Sequence, residues 1–405
     1  MEYHQSVLSV NRFSRTPVQT VRFVFASFVH SLCTLRLILL KHCASIKYSV
    51  TLDCTGMTIR KQVNWYNFPS EAVKYKQSSP FELLTSNSAP MQIITDLTAF
   101  PEALQGGAVS IGKFDGMHLG HSLIVHRLKS YAHQRQIPAI LVTFDPPPAV
   151  LLQPGADLKP ICTLERKIEL IRNFHVDAVV VIPTTHELLQ QSAETFFYET
   201  IQDRFRAKVV VAGRNFSFGR DRIGTPDVMR LYGQWTGIET DIVDPLQIGE
   251  ERVSSTGIRS LIQAGQIERV NELMPMPYRM TGTVIAGERR GRTLGFPTAN
   301  LDSVQTILPK QGIYATVVQI EGKRYGSTTH IGTNPTFDVS LSKIEVFIHD
   351  FSGDLYGNQI DVDFLTLLRE LERFDSADAL VRQMHADVLR SRHIFGEGGG
   401  DKTFV

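Results

Sequence analysis

His118 and His121 lie three residues apart in Gly112-Lys113-Phe114-Asp115-Gly116-Met117-His118-Leu119-Gly120-His121. Two imidazoles that share a metal on a helix prefer a four-residue spacing, and no Cys or further His flanks this pair at ligand spacing. Three residues, with Gly120 between them to allow close approach, suit two donors aimed at one polyphosphate. Two ordinary histidines at the start of a helix are the other reading. No Gly-Lys-Ser/Thr follows, so this is not a Walker loop. A second set lies far along the chain. Thr298 and Asn300, two apart in an extended Pro-Thr-Ala-Asn segment, offer neutral oxygens on one side, as a hard cation such as Mg²⁺ accepts. Ahead of them, residues 287–295 interleave arginines with glycines. Such a loop can bend over a phosphate; a basic hairpin loop with a capping threonine is the plainer alternative.

These residues need elements to hold them. Residues 108–111 read as a short apolar strand, and Ile124, Leu128 and Tyr131 recur behind the glycines at helical spacing. The glycines therefore sit on a strand-to-helix turn, where free N–H groups and the helix dipole attract phosphate. Further strands are expected at 139–144, 178–182, 209–212 and 240–243, after an opening strand just beyond Met91. Helices are expected at 122–135, 164–174, 193–204 and 226–235. That alternation predicts a doubly wound α/β domain with a parallel sheet over 91–274, its ligand at the carboxyl ends of the strands. Polar clusters follow those strands: Thr143-Phe144-Asp145-Pro146-Pro147-Pro148, then Ala212-Gly213-Arg214-Asn215-Phe216-Ser217-Phe218-Gly219-Arg220-Asp221-Arg222, whose two aromatics and three arginines suit a phosphate with an aromatic ring, and the start of a helix at Ser254-Ser255-Thr256-Gly257-Ile258-Arg259. The second equally suits a surface loop packed by its own phenylalanines, and the third suits simple helix capping with Arg259 one turn on.

Met274-Pro275-Met276-Pro277 breaks the helical pattern, giving a linker at 275–278. Beyond it the period falls to two, with strands expected at 278–284, 312–319, 324–331, 343–351 and 359–365. This predicts a small antiparallel β-barrel over 279–392, closed by a helix at 377–392, then a flexible glycine-rich tail at 393–405. Within 343–349, Ile344, Val346 and Ile348 should face the core and leave Glu345 outside, within reach of a substrate. Strand glutamates are more often merely solvated.

With Lys+Arg 42 against Asp+Glu 41 the chain is near neutral, so neither nucleic acid nor a membrane surface is implied as a partner. Four cysteines, Cys33, Cys43, Cys54 and Cys162, show no Cys-x-x-Cys spacing, which fits a reduced, cytoplasmic setting. The first ninety residues follow no strand–helix alternation. They are read as unfolded or as an over-long translation start, with the apolar run at 23–40 as a membrane anchor in the alternative.

The phosphate-type turn resembles the HxGH signature of nucleotidyltransferases. Together, GKFDGMHLGH, TFDP, AGRNFSFGRDRIG and SSTGIR resemble the FMN adenylyltransferase module of bacterial bifunctional FAD synthetases. The resemblance implies that His118 and His121 contact the ATP phosphates and that Gly112, Phe114, Asp115, Gly116 and Gly120 shape the ATP or flavin pocket. It also implies that Asn215 helps to place FMN or nucleotide, while Ser255, Thr256 and Arg259 close over pyrophosphate. The family commonly has His after the TFDP proline; here Pro147 stands there, and no role carries over. The segments GRTLGFPTAN, GIYATVV, IGTNPTF, IEVFIHDF with DLYG, and LRELERF resemble riboflavin kinases. That likeness implies Mg²⁺-ATP held by Thr298 and Asn300, Glu345 as general base, and Arg292, Gly295 and Pro297 at the ATP/flavin pocket. Phe347 replaces a frequent histidine and is assigned nothing.

The two resemblances imply one polypeptide that turns riboflavin into FMN and FMN into FAD, with ATP as co-substrate. Their chemistries differ. A ribityl hydroxyl must lose its proton, which calls for a base; an FMN phosphate is already an anion, which calls for cations and positioned donors. Another nucleotidyltransferase fused to an unrelated barrel, or a flavin sensor without turnover, are the competing readings, and the oligomeric state stays open.

Overall fold

A computed structural model describes residues 35–39, 46–53, 56–63, 90–153, 159–287, 291, 295–334 and 339–399. The chain forms two compact units, residues 1–65 and 66–405. In the first, strands β1 (Leu35–Leu39), β2 (Ile46–Asp53) and β3 (Gly56–Val63) pair antiparallel in that order. Regular strands thus occur inside the stretch expected to be unfolded. Two β-rich runs separated by two residues are the local pattern of a hairpin.

The second unit opens with six parallel strands: β4 (Gln92–Ile94), β5 (Ala108–Ile111), β6 (Ala139–Asp145), β7 (Ala178–Pro183), β8 (Val209–Gly213) and β9 (Glu239–Val243). Their order across the sheet is β4-β7-β6-β5-β8-β9. The runs Ala-Val-Ser-Ile and Val-Val-Val-Ala are buried from end to end, because helices cover both faces. The helices that matter here are α1 (Leu119–Arg135), α2 (Leu164–Arg172) and α3 (Pro226–Thr236). The helix expected over 193–204 begins as α and widens into a π-helix at Phe196–Arg204. Strand order reverses between β5 and β8, so the turn after β5 lies at the switch point where α/β sheets bind ligands.

A short hairpin, β10 (Gln247–Ile248) and β11 (Glu251–Arg252), leads to α4 (Ser255–Gln263) and α5 (Ile267–Leu273). A closed antiparallel barrel follows, built from β12 (Arg279–Ile285), β13 (Ala299–Asp302), β14 (Gly312–Ile320), β15 (Lys323–Asn334), β16 (Val339–Ile348) and β17 (Gln359–Arg369). They join in the order β12-β13-β16-β15-β14-β17 and back to β12. Strand β13 had no place in the periodicity: four residues after a proline are too few to show alternation.

The last helix, α6 (Ala377–Gly399), runs past residue 392 into the stretch expected to be a flexible tail. Phe395 explains part of this, because its ring lies on Gly326 of β15, where a Cβ would come within 3.0 Å of it. Asp387 and Ser391 fix the helix further up, through a two-pronged pair with Arg369 and a 2.7 Å bond to the Ser327 carbonyl.

The expected linker is not loose. Leu273, Met274 and Tyr278 are buried in one core that also takes in Ile258 and Ile262 of α4, Ile161, and the barrel residues Tyr314, Val346 and Phe364. Helices α4 and α5 therefore pack on the barrel. Asn271 donates to the Phe364 carbonyl at 2.8 Å and accepts from the Tyr278 N–H at 2.9 Å.

Candidate active sites

At the end of β5 the backbone of Gly112 donates to Val142 of β6 at 3.0 Å, and its bare Cα lets the Phe114 ring fold back over it. Phe114 and Met117 both take left-handed φ, winding the loop tightly enough to bury each side chain. Gly116, at φ 79°, leaves no room for a Cβ against Ile161.

His118 caps α1: its Nδ1 accepts the His121 N–H at 3.4 Å. A backbone N–H can only donate, so Nδ1 is bare and the proton sits on Nε2, where it is free to donate to an anion. The two imidazoles stack, centroids 3.8 Å apart and planes within 16°, and Phe114 meets His121 edge-on at 5.3 Å. Gly120 makes this stack possible, since a Cβ there would press to 3.1 Å from the His118 ring. Burial holds His118 down to about 4. His121 is held well below the usual histidine range by burial first, then by His118 and Lys167. Both rings are neutral donors at pH 7, and His121 Nδ1 is buried with no partner among the described residues.

Asp115 is engaged by the protein itself. One carboxylate oxygen accepts the N–H groups of Ile161 and Cys162 at 2.9 and 3.4 Å; the other pairs with Arg259 of α4. Ser255 donates its hydroxyl to the Asp115 carbonyl at 3.2 Å, while Ser254, not Ser255, caps the helix by accepting from Gly257. Thr256 is exposed at the same helix start. The GKFDG turn and the SSTGIR helix are thus brought together.

Lys113, not singled out from the sequence, belongs with them. Desolvation, then Arg222 and Arg259, hold its ammonium below the ordinary lysine range. A lysine directly after a strand-ending glycine was the available signal. The loop after β8 is closed by a bridge between Phe218 and Gly224. Phe216 stacks on Phe218, which is buried against Phe196, so its aromatics pack the loop, as the plainer reading has it. Asn215 is exposed in the turn just after β8, and Arg214 pairs with Asp244. Cys162 is a free buried thiol, pushed up to about 12 by burial first.

On the barrel, cross-strand register does the positioning. Asn300 of β13 stands directly opposite Glu345 of β16, and Glu345 stands directly opposite His330 of β15. Val346 and Ile348 are buried inside, which puts Glu345 on the outer face as the alternation implies. Its Oε2 lies 3.5 Å from His330 Nδ1.

Thr298 is partly buried just before β13, two residues from Asn300. The Asn300 amide lies over Gly287, where any Cβ would fall 2.2 Å from its nitrogen. Phe296 is buried, its N–H donated to Gly291 at 2.8 Å; Gly295, at φ 88°, and Pro297 are exposed on the turn. Arg292 lies outside the described residues. Phe347 meets Phe296 edge-on at 5.3 Å, and Phe296 meets His385 of α6 at 4.9 Å. His330 was missed because strand pairing, unlike alternation, leaves no mark in the chain. Among the described residues no three His, Cys, Asp or Glu cluster as a metal cage, and no helix is long and apolar enough to cross a membrane.

Two family models match in tandem, FAD synthetase over residues 100–257 and riboflavin kinase over 274–395. The chain is 33% identical over 293 residues to the bifunctional riboflavin kinase/FMN adenylyltransferase of Listeria monocytogenes, covering 71% of this chain and 92% of the relative. With the protein of the same name from Haemophilus influenzae it shares 30% over 306 residues, covering 75% and 99%. A crystal structure described as a macrolide-efflux protein of Streptococcus pneumoniae matches with a TM-score of 0.67 and 30% identity, covering 75% of this chain and 99% of that one. The two matched models, one per lobe, and near-complete coverage of the relatives agree: the chain belongs to the bifunctional riboflavin kinase/FMN adenylyltransferase family.

Proposed function

We propose that the chain makes flavin cofactors in two steps at two sites, phosphorylating riboflavin to FMN on the barrel and adenylylating FMN to FAD at the end of the parallel sheet. The observation that carries the division of labour is the register that sets Glu345 opposite Asn300, a base beside neutral oxygen ligands, while the sheet site offers donors and cations. At the barrel, Glu345 accepts the proton of the ribityl hydroxyl as that oxygen attacks the γ-phosphorus and ADP leaves. Thr298 and Asn300 would hold Mg²⁺, a set of neutral oxygens that fits a cation keeping water and ATP phosphates in its shell. Bound there, the cation would offset phosphate charge.

At the sheet, the FMN phosphate needs no base. Lys113 and Arg259 draw two anions together, while His118 and His121 donate to the phosphates and ease departure of pyrophosphate. Asn215, on the loop after β8, and Thr256, in the first turn of α4, would border this cleft. Asp115, Gly116 and Ser255 act from beneath as supports for the turn and for Arg259. The free thiol of Cys162 fits a reducing, cytoplasmic setting. Incubating the full chain with riboflavin, ATP and Mg²⁺ and following products over time tests the reading: FMN should appear first, then FAD with one pyrophosphate per FAD. Riboflavin returned unchanged with ATP intact would sink it.

A further inference from the structure

We propose that His330 is a positioning residue for the kinase step, holding one oxygen of Glu345 so that the other is presented to the alcohol. The inference rests on the reading of Glu345 as the base. Among the described residues, the one side chain in polar contact with the Glu345 carboxylate is His330, whose Nδ1 lies 3.5 Å from Oε2. The two stand directly opposite on neighbouring strands, so the backbone fixes their separation. Their side chains are 17% and 29% exposed, dry enough for the contact to matter and open enough on the glutamate for a substrate to reach it.

A glutamate has three rotatable side-chain bonds, and a base that sweeps through space spends little time in line with one hydroxyl. Holding Oε2 removes most of that freedom and leaves Oε1 without a partner among the described residues. The identity of the holder matters too. A lysine or arginine there would stabilise the carboxylate and weaken it as a base. An imidazole, a weaker partner than a fixed cation, takes away less of that basicity.

The test compares His330→Leu, which loses the donor, with His330→Asn, whose amide nitrogen takes the place of Nδ1. Each is made in the full chain, alone and with Glu345→Gln. For riboflavin phosphorylation, His330→Leu should lower kcat roughly tenfold or more with KM for riboflavin held, since small misplacements of a reacting group carry up to about 10²-fold. His330→Asn should restore most of it. In the Glu345→Gln background the leucine should cost nothing further, and FMN adenylylation should be unchanged throughout, reporting an intact fold. Wild-type kcat in His330→Leu, or the same loss with and without Glu345, overturns the inference. Wild-type kcat in Glu345→Gln alone would instead overturn the reading of the base.

Discussion

Asp115 divides its two oxygens between two jobs, one structural and one electrostatic. The substitution Asp115→Asn keeps an acceptor for the Ile161 and Cys162 N–H groups and removes the charge that faces Arg259. FMN adenylylation should lose about ten- to a hundredfold in kcat/KM, the range of one charge-assisted hydrogen bond. Measured again in an Arg259→Ala background, the asparagine should add little, because the second oxygen acts only through the guanidinium. Gly120→Ala is a sharper probe of the imidazole stack, since its methyl meets the His118 ring at 3.1 Å. It should depress adenylylation at least tenfold and leave riboflavin phosphorylation unaffected, as read in paired assays. The spacing of His118, Gly120 and His121 made this part of the site visible in the sequence. What Asp115 does was not visible, because its partners at 161, 162 and 259 are brought to it only by folding.

Single elements carry their own liability. His349 on the outer side of the barrel, bonded to Thr328 at 3.0 Å and covered by α6, is held down to about 4 by burial first and then by Arg392, against the pull of Asp350. The unfolded chain takes up this proton near the ordinary histidine value of about 6.5, the folded chain only near 4. Between those values the unfolded state binds more protons, so stability falls as pH drops through that window and is flat above it. Thermal unfolding at pH 7 and pH 5 should show the loss, and His349→Leu should make the difference smaller. His118 and His121 push in the same direction in the other lobe. The long apolar strands of the sheet could be read almost to the residue from the chain, since β5 to β8 are uninterrupted buried runs. Strand β13 could not, and neither could the pairing of β13, β16 and β15 that assembles the kinase site, for register depends on contacts distant in sequence.

At the scale of the molecule, the two catalytic regions share material. Arg279 of β12, buried, grips Asp363 with two nitrogens at 2.6 and 2.9 Å, reaches Asp361 at 3.0 Å, and touches Glu169 of α2 at 3.4 Å. Replacing it by methionine strands Asp363, which is only 14% exposed. The cost should be about 3 kcal/mol, the low end for a broken buried pair because Asp361 stays partly solvated. A lower thermal midpoint is then expected, with both activities falling together on warming. The core that takes α4 and α5 onto the barrel ties Arg259 to the same framework. Shared scaffolding does not mean shared chemistry.

The most direct measurement assays two variants crosswise, with riboflavin and with FMN, in ATP and Mg²⁺. Glu345→Gln should lose about 10²–10⁴-fold in riboflavin phosphorylation, the usual share of a general base, and still convert FMN to FAD. His121→Ala should stop adenylylation and still make FMN. Equal loss of both activities in either variant would contradict the account of two independent sites.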